Sequence, residues 1–237
     1  MTATAAGSGA VFIAQLVARI ALNVAVYALL LFLPAGTFDW PRAWVLLALL
    51  FAGMLATRLS VFRGKEALLE ERRRSPLQPG QPLADKVLVV AFVVVFPAYI
   101  AFIGLDAFHL HLMARPGLPA SSLGLIIAAA GWLIVSLAFR ENAFAVAIIK
   151  PQEERHQTVV DAGVYGVVRH PLYAGLGLVI IGVALWLESY AAALASIVPI
   201  TLLVVRIRVE EAFLRQRLAG YDEYAKRIAY RLIPLIW

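Results

Sequence analysis

Apolar runs long enough to cross a bilayer, repeated along most of the chain, constrain this sequence more than any other feature. A helix needs about 20 apolar residues to traverse the hydrocarbon. Val11–Leu33, Ala43–Phe62, Lys86–Leu105 and Ser122–Phe139 each reach or approach that length. Two shorter runs follow, Leu172–Leu187 and Tyr190–Val205, with only Glu188-Ser189 between them. They predict a tight helical hairpin whose shorter arm tilts or thins the bilayer. Soluble domains are about half apolar; here 62% of residues are hydrophobic and the mean hydropathy is +0.83. The expected fold is an all-α integral membrane protein with about six transmembrane helices and a C-terminal helical hairpin. About five spans plus a re-entrant arm is the alternative.

Charge sets the orientation. The segment Arg58–Lys86 holds seven of the 21 Lys and Arg residues, Arg140–Arg169 four and the tail from Arg206 another seven, whereas the loops containing Arg42 and Arg115 hold one each. By the positive-inside rule the basic segments and both termini are expected on the cytoplasmic side, in a bacterial case of the inner membrane. The formal net charge of +6 then belongs with anionic lipid rather than nucleic acid, because the basic residues flank apolar runs. With no cysteine in the chain, disulfides, thiol nucleophiles and cysteine-ligated zinc are excluded. The first run lacks a basic n-region, is too long for a signal-peptide core and is interrupted by Arg19 and Asn23, so it is expected to remain as a span. No internal repeat is evident. Within the linker expected over 63–85, "LLEERRRSPLQPGQPL" predicts an interfacial helix ending in an irregular segment.

Three polar clusters remain once the spans are set aside. In "GVYGVVRHPLYAG" (163–175), Arg169-His170-Pro171 stands at the mouth of an apolar run. Pro171 suits the first turn of the helix that follows. His170 would lie beside that helix's N-terminus, with Tyr173 one turn in, where free N–H groups favour a carboxylate. The competing reading is a helix cap with a snorkelling arginine at the interface. In "VVRIRVEEAF", Arg206 and Glu210 are four apart and share one helix face, with Glu211 about 100° round. A surface ion pair is the usual fate of such residues. The tail "GYDEYAKRIAYRLIPLIW" alternates aromatic, basic and apolar residues. It is expected to form an interfacial amphipathic helix, its tyrosines walling a pocket as the alternative. His109 and His111 have no third ligand and are expected to face solvent, so no metal is expected. Gly175, Gly177 and Gly182 are expected to permit close helix packing, and Pro199 to kink the last span.

Taken together, "GVYGVVRHPLYAG", an apolar hairpin, "RIRVEE" and then "GYDEYAKRIAYRLIP" resemble the isoprenylcysteine carboxyl methyltransferase family of integral membrane enzymes. They are similar also to bacterial relatives of that family and to the phospholipid methyltransferases. The resemblance is strong from about Asn142 to Trp237 and loose over the earlier spans. It implies N-terminal transmembrane helices over 1–140 and a catalytic region over 141–237, with S-adenosylmethionine held in a cytoplasmic cleft between hairpin and tail. Carried over by position, Gln157, Thr158, Val159, Val160, Tyr165, His170, Pro171, Leu172 and Tyr173 would line the cofactor, with Glu210 contacting it too. Arg206 would hold the acceptor and be the catalytic residue. Gln152 matches a cofactor-contacting glutamine at a different spacing, and Gln157 stands where eukaryotic members have histidine. The implied activity is carboxyl O-methylation of an isoprenylcysteine-like or other amphipathic acceptor, with phospholipid N-methylation and thiol S-methylation as alternatives. Outside that class, a small transporter is opposed by the near absence of polar residues at mid-span. A nicotinamide-dependent membrane reductase is unsupported by any G-x-G-x-x-G fingerprint.

Overall fold

The computed structural model describes residues 2–62 and 64–237. Met1 and Arg63, with which the expected N-terminal region and its linker begin, lie outside the described residues. Among the described residues all regular structure is helical. In chain order these are α1 (Thr2–Ala35), α2 (Pro41–Ser60), the short α3 (Glu66–Arg73) and α4 (Leu83–Leu105), which a π-helical turn (Asp106–Leu110) prolongs. Then come α5 (Leu118–Glu141), α6 (Pro171–Trp186), α7 (Tyr190–Ala195), α8 (Ile197–Arg217) and α9 (Tyr221–Arg227). Five segments are long and apolar enough to cross a membrane: Ile13–Ala35, Pro41–Ser60, Leu83–Leu110, Leu118–Glu141 and Tyr190–Arg217. Leu22, Leu29, Val93, Val94, Ile126 and Leu133 turn outward, each more than half exposed. Only hydrocarbon is a suitable solvent for such a surface, and helices are a form of backbone it accepts. The protein is an integral membrane protein.

The sixth apolar helix, α6, has 16 residues and falls short of the span length. It nevertheless runs antiparallel to α5 along most of that helix, through a seam of glycines. A methyl group on Gly131 would lie 2.5 Å from the Gly175 carbonyl oxygen, and one on Gly182 would lie 2.5 Å from that of Gly124. Backbones this close leave no room for any side chain, which is how helices gain contact where no hydrophobic effect drives them together. Gly177 takes no part: the space beyond its Cα is open, so the packing role expected for it does not hold. At its far end α6 meets the start of α2, where Arg42 Nη1 donates to the Trp186 carbonyl (3.1 Å) and Trp186 Nε1 donates to that of Arg42 (2.9 Å).

The expected hairpin turn is present at Leu187–Ser189, with Glu188 in the left-handed region at φ 65°. Its two arms find different partners, however: α6 packs on α5 and α8 packs on α4. Ser189 caps α7 by accepting from the Ala192 N–H (2.8 Å) and donates to buried Asp106 Oδ2 (2.5 Å), fixing this turn to the end of α4. The break in the last span falls at Ser196, between α7 and α8. Pro199, expected to kink the span, lies three residues beyond this break, and its ring and missing N–H interrupt the bond to the Ala195 carbonyl. His109 and His111 are exposed.

These connections place the 36–40, 111–117 and 187–189 turns at one end of the bundle. The basic linker, the segment 142–170 and the tail gather at the other. From Tyr190 to Arg206 the helical rise is roughly 24 Å, so Arg206 lies near the edge of a ~30 Å hydrocarbon layer.

Candidate active site

Gly163 opens the motif at φ 57°, and a side chain there would press on Glu141 Cγ at 2.9 Å. Only glycine meets both demands. The 3₁₀ turn Gly163–Gly166 that follows buries Tyr165, whose hydroxyl accepts from Asn142 Nδ2 (3.2 Å) and whose carbonyl accepts from the Tyr224 hydroxyl (2.9 Å). Next, the N–H groups of Arg169 and His170 donate to the carbonyls of Tyr230 and Arg231, both at 2.9 Å. The tail is thereby paired to the motif through backbone. It is helical only over Tyr221–Arg227, and 228–237 folds back irregularly, so the interfacial amphipathic helix expected there is not formed. His170 is the residue before the first turn of α6 and Pro171 is its first residue, as expected.

Arg169 does not snorkel. It is buried, and its Nε donates to Glu211 Oε1 at 2.7 Å while Nη1 donates to the carbonyls of Ala225, Ile228 and Ala229. Glu211 also meets His170 Nε2 (3.1 Å) and accepts from Arg231 Nε (2.9 Å). One carboxylate thus joins α8, the motif and the tail. Charge-assisted hydrogen bonds of this kind are the strong ones, and here they satisfy the buried Arg169, His170 and Glu211, with Arg231 partly exposed at the edge.

Arg206 and Glu210 do not form the expected ion pair. The Tyr173 hydroxyl stands between them, accepting from Arg206 Nε (3.0 Å) and donating to Glu210 Oε2 (2.5 Å). The Tyr173 ring stacks on His170 with centroids 5.8 Å apart. The rest of the Arg206 guanidinium reaches the Ala147 carbonyl (Nη2, 2.7 Å) and fully buried Asp85 (Nη1 to Oδ1, 2.9 Å). Arg208, two residues on, is exposed.

These groups surround one cleft at the basic end, open to solvent and enclosing a cavity of about 100 Å³. Gln157, Thr158, Val159, Val160, Tyr165, His170, Leu172, Tyr173, Arg206 and Glu210 all line it. Pro171 does not; it is fully buried behind the wall. Gln152 lines the cleft with its amide already committed, donating to the Phe144 carbonyl (2.9 Å) and accepting from Arg155. Tyr221 and Tyr224 complete the tail side. Burial pushes the phenols of Tyr165 and Tyr221 up and that of Tyr224 up to about 12, so all three stay neutral at pH 7. Among the described residues the buried Tyr221 hydroxyl has no hydrogen-bond partner.

Sequence reasoning passed over three contributors. Glu211 was legible only as a neighbour of Glu210. The segment 142–150 supplies a whole wall, from Asn142 and Phe144 to Ile149 and Lys150, yet carries no motif. The linker clamps that wall: Lys150 is bonded to Glu71 and Gln78, and Arg72 Nη1 donates to the Ala145 carbonyl (2.9 Å).

Residues 120–219 match the family model described as phospholipid methyltransferase. The matched segment runs from α5 through the motif to the end of α8. A search of curated proteins returns no match.

Proposed function

From the membership of residues 120–219 in the phospholipid methyltransferase family of membrane enzymes, we propose that the cleft binds S-adenosylmethionine and that the protein methylates the carboxylate of an isoprenylcysteine-like or other amphipathic acceptor. The observation that carries this reading is the convergence of the Arg206–Tyr173–Glu210 chain and the 157–160 segment on one cleft at the edge of the membrane. The residues fit the cofactor. Tyr221 offers an unpartnered buried hydroxyl to a ribose, and Glu210 keeps an oxygen for a hydroxyl or an ammonium. His170 with the N-terminal turn of α6 suits a carboxylate, and the faces of Tyr165 and Tyr173 beside Val159 and Leu172 suit a flat base.

The bound cofactor supplies an electrophilic methyl on a sulfonium. The chain's own residues do the remainder. Arg206 gives one Nη2 hydrogen to the Ala147 carbonyl and retains N–H donors on both terminal nitrogens, and these orient the acceptor carboxylate. A carboxylate with a pKa of about 3.5 is ionised at pH 7 and needs no general base. Methyl transfer cancels a positive against a negative charge, so a site shielded from water favours it.

An apolar cavity of about 560 Å³ lies deeper in the membrane, lined by Leu30, Leu50, Phe96, Leu125, Trp132 and Val179 among others. Leu176 on its wall is one turn from Leu172 in the cleft. Its position supports an acceptor with an apolar tail. The family's description favours a second reading, a phospholipid amine, with Glu210 as the nearest carboxylate to take the ammonium proton.

The test is methyl transfer from radiolabelled S-adenosylmethionine to S-farnesylcysteine, phosphatidylethanolamine and a long-chain thiol, with S-adenosylhomocysteine binding measured alongside. For a carboxylate acceptor the rate should be flat from pH 6 to 8. For an amine with a pKa of about 10 it should rise about tenfold per pH unit. Absence of S-adenosylhomocysteine binding at millimolar concentration, together with binding of NADPH, would sink the methyltransferase reading in favour of a reductase. The basic end is the cytoplasmic one in this proposal; reporter fusions placing Trp237 outside the cell would contradict it.

A further inference from the structure

Asp85 has no motif around it and precedes the family-matched residues 120–219. It stands in the first turn of α4, fully buried, and does not line the cleft. Its Oδ2 accepts from Gln81 Nε2 (2.6 Å) and from the Ile149 N–H (2.8 Å), and its Oδ1 faces Arg206 Nη1 at 2.9 Å. A carboxylate so enclosed is tolerated only when charged and polar partners satisfy it. Here the hydrogen bonds come from the linker and the 142–150 wall, both to Oδ2, while α8 supplies the charge of Arg206, with which Oδ1 makes an ion pair and no hydrogen bond. The consequence for Arg206 is geometric. With Nη1 drawn to the Asp85 charge and Nη2 hydrogen-bonded to the Ala147 carbonyl, the planar guanidinium is restrained from two sides, and its Nε edge meets the Tyr173 hydroxyl.

We propose that Asp85 is the positioning residue that sets Arg206 for transfer, so that the N-terminal half of the chain completes a site otherwise built from the C-terminal half. The proposal rests on the methyl-transfer reading above. Asp85→Asn keeps the size of the side chain and an oxygen for Gln81 and Ile149, but removes the charge that pins Arg206. Misplacement of an orienting group by about 1 Å lowers a rate on the order of 100-fold.

The experiment uses the full chain in detergent with Asp85→Asn, Asp85→Glu, Arg206→Gln and the Asp85→Asn/Arg206→Gln double variant. S-adenosylhomocysteine affinity, transfer to the acceptor that the wild type methylates, and melting temperature are measured for each. We expect Asp85→Asn to bind S-adenosylhomocysteine within about threefold of wild type while kcat falls about 100-fold. Asp85→Glu should recover part of that loss, and Asp85→Asn should cost nothing further once Arg206 is glutamine. Wild-type turnover in Asp85→Asn, or an undiminished further loss in the Arg206→Gln background, would overturn the proposal. If Asp85→Asn folds but is too unstable for the transfer assay, the melting temperatures decide. A double variant at least as stable as Asp85→Asn supports the pairing, and one that loses the sum of both single changes overturns it. A wild type that neither binds S-adenosylhomocysteine nor transfers label refutes the methyl-transfer reading and the positioning role with it, and is told apart because no variant is involved.

Discussion

Glu211→Gln should lower the melting temperature of the detergent-purified protein by roughly 6–20 °C, the shift expected for a loss of about 3–5 kcal/mol in a chain of this size. The substitution changes shape little. What it removes is the charge that neutralises Arg169 and Arg231 together, at 2.7 and 2.9 Å. Arg169 would remain buried with only the carbonyls of Ala225, Ile228 and Ala229 to face. Breaking a buried pair by removing one partner is costly for that reason, whereas replacing both can be nearly neutral. Because Glu211 ties the tail to the motif, S-adenosylhomocysteine binding should fall with it. A melting temperature within about 2 °C of wild type would show that water reaches Arg169 and that the hub is not a buried one.

Glu210→Gln and Arg206→Lys should separate cofactor from acceptor. If Glu210 contacts the cofactor, the glutamine variant should weaken S-adenosylhomocysteine binding by about 1.5–3 kcal/mol, the value of a charge-assisted hydrogen bond. Lysine at 206 keeps the charge but has a single nitrogen where the guanidinium reaches Tyr173, Ala147 and Asp85 at once. Cofactor binding should then stay nearly intact while transfer falls on the order of 100-fold. Isothermal titration and the radiolabelled methyl assay on both variants provide the check. Small and equal effects on the two readouts would mean that neither residue reaches a ligand.

The spans were legible because hydropathy is a local property. Four of the apolar runs coincide with long apolar helices, and the last one extends as helix α7–α8 to Arg217. The cleft was legible to the extent that its residues break the pattern. Arg169-His170-Pro171 has no reason to stand at the mouth of an apolar run, and Arg206 and Glu210 sit where a span leaves the membrane. What the sequence concealed are pairings across long separations. Glu211 differs from Glu210 only by a rotation about the helix, and nothing local says which of the two meets Arg169. Asp85 lies in an unremarked first turn, and its contact with Arg206 depends on how α4 and α8 pack. Gly177, by contrast, is told apart by helix geometry: it lies about 200° round from Gly175, whereas Gly182, seven residues on, shares that face, and only those two meet a neighbouring backbone.

The backbone pairing of Arg169 and His170 with Tyr230 and Arg231 bears on the order in which this protein is made. Helices enter a bilayer one after another as they leave the ribosome, and all the spans precede residue 218. The strip paired to the motif follows every one of these spans, and within it the Trp237 carbonyl accepts from the N–H groups of Arg231, Leu232 and Ile233. A nascent chain can therefore have these spans inserted while the backbone pairing that steadies the motif has still to form, so the spans and the motif's support are completed at different times.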